Sequence, residues 1–249
     1  MVDVQGQLAA VTREIASEEV DGFPARVQTL AQTYPSPIDD VWDAVTGADR
    51  IARWFQPISG DLVLGGRYQI EGNAGGEIQE CAPPANGAAH YKATWEYGGG
   101  VTWLTVRLTA EGADSTRFEL EHIARTDDVP SEFWDVYGPG ATGVGWDGGL
   151  LGLALHLTSG DGPAPGEAEA WAFTDEGRAF YRGAADAWGA AHAADGADAA
   201  VAARAADNTY AFYTGQPQPA DTGNETDAST RRIPDMKGDS LQHEGGLLS

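Results

Sequence analysis

One cysteine, two lysines and no long apolar run set the first limits on this 249-residue chain. A lone thiol, Cys81, cannot close an internal disulfide, and the opening residues MVDVQGQLAAVTREI lack the basic-then-apolar order of a secretory signal. The expected address is therefore the cytoplasm. No stretch approaches the roughly 18 unbroken apolar residues that a membrane-spanning helix needs. With Lys92 and Lys237 as the only lysines, the formal net charge is −23. Such a field repels phosphate backbones and anionic headgroups, so neither nucleic acid nor a membrane surface is an expected partner. The acidity reads first as a solubility device. Metal-ligand spacings (H-x-x-x-H, clustered Cys/His) and the G-x-S-x-G elbow are also missing, and no metal or cofactor is expected.

What is present is material for a core. Hydrophobic residues make up 42% of the chain and eight are tryptophan, enough to build an interior from side chains alone. Residues 1–24 form a leader of weakly helical pattern (Leu8, Val11, Ile15). The first strand signal is Ala25–Tyr34, closed by Pro35. Ser36 and Pro37, followed by Asp39 and Asp40, open a helix whose apolar face is Ile38, Val41, Trp42 and Val45. Gly47 breaks it, and a second short helix carries Ile51, Trp54 and Phe55. From Ile58 to Ile123, short apolar runs alternate with glycine turns in the manner of an antiparallel meander. Two of these strands show a dry face. Leu104, Val106 and Leu108 alternate with Thr105 and Arg107, and Phe118, Leu120 and His122 alternate with Glu119 and Glu121. His122 thus points inward with the apolar set.

A loop with Phe133, Trp134 and Tyr137 leads to a long helix over Gly143–Leu157, its apolar positions Trp146, Leu150, Leu153, Ala154 and Leu157. That helix needs an apolar surface, and the concave face of the meander supplies one. Residues 159–166 read as a Gly/Pro-rich linker, residues 167–215 as an alanine-rich helical appendage capped by Thr174, and residues 216–249 as a disordered tail. The segment Gly138–Gly143 has the spacing of a dinucleotide-binding glycine loop, but no parallel strand precedes it. The expectation is a flexible hinge before the helix.

The phrases YPSPIDDVWDAVTGADRIARWF, SGDLVLGGRYQIEGN, ATWEYGG, TRFELEH and GVGWDGGLLGLALHL, in that order across residues 25–158, resemble the SRPBCC (START-like) superfamily. More narrowly they resemble the branch of homologues of the activator of the heat-shock protein 90 ATPase. The resemblance implies an α+β helix-grip fold, in which a curved antiparallel sheet wraps a long C-terminal helix, here with an appended helical segment. The superfamily holds lipid carriers, receptors and polyketide cyclases on one scaffold, so fold alone does not choose a function. A counterpart of the chaperone-binding domain of the activator that names the branch is not expected in the residues ahead of Ala25. The appendage also departs from the minimal domain, and the roles expected for it are a cover for the cavity mouth, a layer on the outer sheet face or a homodimer or protein contact.

The expected site is an apolar cavity between sheet and long helix, lined by Trp54, Phe55, Trp95, Leu104, Phe118, Leu120, His122, Phe133, Trp134, Trp146, Leu150 and Leu153. Trp54 and Phe55 would form a lid, and a neutral or weakly polar small molecule would suit the walls better than an anion. His122 is the best candidate for an acid–base group, with His156 on the long helix weighed as its companion. Both histidines equally suit a core or rim position. Cys81 has no basic neighbour in sequence and reads as a structural thiol. Binding of a small apolar ligand is the leading expectation. A cavity enzyme of cyclase or hydratase type and a chaperone-accessory or protein-interaction module are the alternatives.

Overall fold

The computed structural model describes residues 2–129, 131–160 and 167–217. Most of the expected linker (161–166) and of the expected tail (218–249) lies outside them. In chain order the elements are α1 (Val4–Ala10), β1 (Thr12–Val20), β2 (Phe23–Tyr34), α2 (Ile38–Thr46), α3 (Ala48–Trp54), β3 (Ile58–Gly60), β4 (Arg67–Ile70), β5 (Gly75–Ala85), β6 (Ala88–Tyr97), β7 (Gly100–Gly112), β8 (Ser115–Arg125), α4 (Ser131–Tyr137), α5 (Gly140–Ser159), α6 (Glu167–Trp171), α7 (Asp175–Ala194) and α8 (Ala199–Thr214). Among the described residues eight strands make one antiparallel sheet in the order β1-β2-β8-β7-β6-β5-β4-β3. This is the helix-grip architecture. None of the described helices is long and apolar enough to cross a membrane.

Turn chemistry sets the strand register. Asp21-Gly22 joins β1 to β2, Asn86-Gly87 joins β5 to β6, and Gly98-Gly99 joins β6 to β7, every one of these six residues at positive φ. Two-residue loops with both φ values positive match the right-handed twist of the strands they connect. Pro83 and Pro84 lie in the last part of β5 beside a register shift between Ala82 and Ala85. An irregular strand end tolerates the missing N–H of proline. Across β7 and β8, Val106 faces Leu120 and Leu108 faces Phe118, so the two dry faces merge into one concave floor.

Two parts of the chain differ from their sequence reading. Thr12–Val20 is not a helical leader but β1, paired with β2 along its whole length. Its residues are mostly exposed, as befits a sheet edge, and only Ile15 is buried. The glycine-rich stretch before the long helix is no hinge either, because α5 already begins at Gly140. A Cβ on Gly143 would sit 2.2 Å from the Trp188 ring, and one on Gly152 would sit 2.3 Å from the Trp54 carbonyl oxygen. These glycines let α7 and α3 approach the α5 backbone. Their role is packing.

The appended helices belong to the core. Trp188 of α7 is fully buried with Val11, Leu30, Val144 and Leu153, and Ala184 and Ala185 join it. Thr174 caps α7 as expected, accepting a hydrogen bond from the Gly177 N–H. Because α5 is covered by the sheet on one side and by α7 and α8 on the other, it is apolar around most of its circumference rather than striped. Two of the roles expected for the appendage, over the cavity mouth and on the outer sheet face, do not describe this packing.

One ion pair fastens the arrangement. The Arg13 guanidinium on β1 donates to both Asp147 carboxylate oxygens on α5, the shortest contact being 2.7 Å, and also to the Leu8 and Val11 carbonyls. Trp188 Nε1 donates to the same carboxylate at 2.9 Å. The side chains are 6% and 1% exposed, so the pair is effectively dry. Burial pushes the Asp147 carboxyl up, while Arg13 and Trp188 pull against that shift.

Candidate functional site

The cavity lies between the inner faces of β4–β8 and a cover made by the end of α2, α3 and α5. Its floor is Leu104, Val106, Phe118 and Leu120, all buried by the alternation that put them on one face. One wall is Tyr68, Ile70, Ile78, Cys81, Tyr91, Ala93 and Trp95 from β4–β6. The cover is Val45, Ile51, Trp54 and Phe55 on one side and Trp146, Gly149, Leu150 and Leu153 on the other. The cavity volume is about 110 Å³. That is below the roughly 300–1,000 Å³ of drug-sized pockets and close to the roughly 150 Å³ of an apolar cavity that takes up benzene.

The cover is an aromatic cluster. Phe55 stacks on Trp146 at 6.1 Å and packs beside Trp54 at 5.6 Å, while Trp95 meets Trp146 edge-on at 5.1 Å. Trp54 is anchored at its polar end, its Nε1 donating to the Ala44 carbonyl at 2.9 Å. Among the lining residues Thr46, Trp54, Tyr91, Trp95 and Trp146 are half-buried, as are Phe55, Ile58, Leu62 and Cys81. Just outside them Val63 and Leu64 stand in solvent at 61% and 64% exposure. This side is the mouth.

His122 is inward but does not line the cavity. Its Nδ1 accepts a hydrogen bond from Trp146 Nε1 at 3.1 Å, and its Nε2 lies 2.8 Å from the Thr102 hydroxyl. Since Trp146 can only donate, Nδ1 is the acceptor and Nε2 carries the proton. Thr102 then donates to the Trp95 carbonyl at 3.3 Å. The chain of bonds holds Trp146, whose ring meets the imidazole edge-on at 5.8 Å. Burial drives the His122 pKa down to about 4, so near neutral pH the ring is uncharged and both nitrogens are occupied. This arrangement gives His122 a positioning role and leaves no nitrogen for acid–base work on a cavity ligand. His156 is not its companion, because its Nε2 accepts from Arg50 Nε at 2.7 Å and the two histidines share no partner.

A pH dependence follows. In the unfolded chain His122 takes up a proton near pH 6.5, and in the folded protein only near pH 4. Between those values the unfolded state binds more protons, so acid favours unfolding. The contribution is complete above pH 6.5 and is lost as pH falls toward 4, for a total of about 3 kcal/mol. Urea unfolding at pH 7, 5.5 and 4.5 checks this. The stability of His122→Gln is expected to fall less steeply across that range than that of the parent, and parallel curves would contradict the assignment.

Nine of the twelve expected lining residues meet at this cavity: Trp54, Phe55, Trp95, Leu104, Phe118, Leu120, Trp146, Leu150 and Leu153. Besides His122, the structure places Phe133 and Trp134 elsewhere. Both lie on α4, where Phe133 packs on Tyr137 while Trp134 sits between the Arg26 guanidinium (3.9 Å) and His192. They precede α5 in sequence, but α4 packs against α8 rather than over the mouth. The β4–β6 wall was missing from the sequence reading. Its signal is the alternation of Tyr91, Ala93 and Trp95 on β6 and of Tyr68 and Ile70 on β4.

Residues 35–150 match the family model described as Activator of Hsp90 ATPase homolog 1-like protein. That span runs from the end of β2 to the middle of α5 and contains nearly all of the cavity lining. The solution structure of CalU16 from Micromonospora echinospora aligns over 75% of this chain and 97% of its own, at 30% identity and a TM-score of 0.59. The chain belongs to the AHSA1-like branch of the SRPBCC superfamily. A crystal structure of CalU16 aligns over 61% of this chain and 88% of its own, at 32% identity and a TM-score of 0.50. No curated protein matches the chain.

Proposed function

We propose that the protein binds a small, neutral, largely apolar molecule in the cavity between sheet and α5. The observation that carries this reading is a space of about 110 Å³ whose described lining residues include no Asp, Glu, Lys or Arg. A preformed apolar space with a few polar groups is the usual form of a small-molecule site. The half-buried apolar rim at Phe55, Ile58 and Leu62 gives such a molecule a way in, and membership of a superfamily with ligand-binding members agrees with it. The engagement of both His122 nitrogens weighs against the cyclase or hydratase alternative.

The test is to fill the space. Ala93 is buried in the β6 wall, and Ala93→Leu adds three carbons directed into the cavity. Single-ring aromatic compounds are expected to raise the melting temperature of the parent protein and not that of Ala93→Leu. Native mass spectrometry of gently purified protein should likewise find a bound molecule on the parent alone. If no compound shifts the parent and nothing co-purifies with it, the binding reading fails and attention moves to the outer surface, where a protein partner would act.

A further inference from the structure

Most polar atoms around the cavity are satisfied within the protein. Tyr68 donates its hydroxyl to the Thr94 carbonyl at 2.6 Å, Trp54 donates to Ala44, Trp146 donates to His122, and the Thr46 hydroxyl donates to the Trp42 carbonyl. Tyr91 is different. It lies on the inner face of β6 between Ala89 and Ala93, its ring edge-on to Trp42 at 6.3 Å, and its hydroxyl has no hydrogen-bond partner among the described residues. Directly opposite it in the β5–β6 register is Cys81, the single thiol, which lines the same wall. Four residues along the same face, the Trp95 indole N–H is likewise without a partner among the described residues. Tyr91 and Trp95 are half-buried, so neither group is stranded away from water; each is a donor that the protein leaves open in an otherwise apolar wall, where a bound molecule can take the place of water.

We infer that Tyr91 is the specificity-determining residue of the cavity, donating its phenolic hydrogen to a carbonyl or ether oxygen on a neutral, ring-sized ligand. This rests on the ligand-binding reading above. The donor role follows from the surroundings. Burial pushes the Tyr91 phenol well above its ordinary range, so it remains protonated, and the described lining residues hold no cation to neutralise an anionic ligand. The net charge of −23 further disfavours anions. The carbonyl-bearing end of the ligand would lie against β5 and β6, beside Cys81, and the apolar ring would sit under Trp146 and Phe55.

The probes are acetophenone and ethylbenzene, nearly isosteric and differing by a carbonyl in place of a methylene. Their affinities for the parent and for Tyr91→Phe are measured by calorimetry, and independently by how well each protects Cys81 from an apolar thiol-alkylating reagent. The parent is expected to prefer acetophenone by roughly threefold to tenfold, the yield of one neutral hydrogen bond. Tyr91→Phe keeps the ring and its packing on Trp42, so it should still bind ethylbenzene but lose the preference for acetophenone. If both compounds bind but the preference is absent, or survives in Tyr91→Phe, the assignment to Tyr91 is overturned while the cavity-binding reading stands. If neither compound binds the parent or protects Cys81, both are overturned.

Discussion

Asp147→Ala is expected to lower folding stability by about 3–5 kcal/mol, measured as the change in urea unfolding free energy at pH 7. The size comes from what the substitution leaves behind. Arg13 is 6% exposed and would be an uncompensated charge in a dry interior, with two backbone carbonyls as its remaining partners. The Trp188 indole N–H would lose its acceptor at the same time. Removing one member of a buried pair is costly because water cannot replace the lost partner, whereas removing both charges together is often nearly neutral. Arg13→Met combined with Asp147→Leu should therefore recover most of the loss. A double variant as unstable as Asp147→Ala would show that the pair sets the geometry of β1 against α5 through more than its charge balance.

A chain ending at Gly160 should show no cooperative unfolding transition by circular dichroism, even though it keeps all eight strands and α5. Trp188 alone fills a fully buried position in the main core, and its loss by truncation would cost about 3–5 kcal/mol. Phe180, 1% exposed, goes with it and uncovers Val4 and Leu151. So do Ala184 and Ala185, which close the core beside β1, and α8, which approaches α7 at Gly189 through Ala202 and Ala206. Against a typical margin of 5–15 kcal/mol for a whole domain, these losses together leave nothing in reserve. A truncated protein with a sharp transition would return the helices to the status of an attachment.

The ligand hypothesis connects to these results through α5. Its inner face covers the cavity with Trp146, Leu150 and Leu153, and its outer face is held by Trp188 through Gly143 and Asp147. The buried pair and the appended helices thus set the position of a helix that forms part of the cavity cover. Changes in them should be read first as changes in stability, and only then as changes in binding.

Much of the site was legible in the chain because alternation is a local property. The facing sets Leu104–Val106–Leu108 and Phe118–Leu120–His122 predict a dry concave face, and the structure shows it. The helix begun by Pro37 and closed by Gly47 is visible for the same reason, since its start, stop and apolar face lie within ten residues. Edge strand β1 was hidden because an edge facing solvent carries little alternation, as its run of Glu14, Glu18 and Glu19 shows. The Asp21-Gly22 pair was the readable signal for the hairpin that contains it. Phe133 and Trp134 misled because large aromatics announce burial without saying against what.

The sequence by itself determined the class of fold, the inward set of two strands, the acidic surface and the presence of a long apolar helix. These depend on residue type at fixed short spacing. Only the tertiary structure decided that four glycines in that helix, Gly140, Gly143, Gly145 and Gly152, serve close packing, that Arg13 and Asp147 meet across 134 positions, that His122 spends both nitrogens on Trp146 and Thr102, and that Tyr91 stands opposite Cys81 in the cavity wall. Each of those is a meeting of residues far apart in the chain. Strand register and helix approach create such meetings, and neither is written in the spacing of the residues that meet.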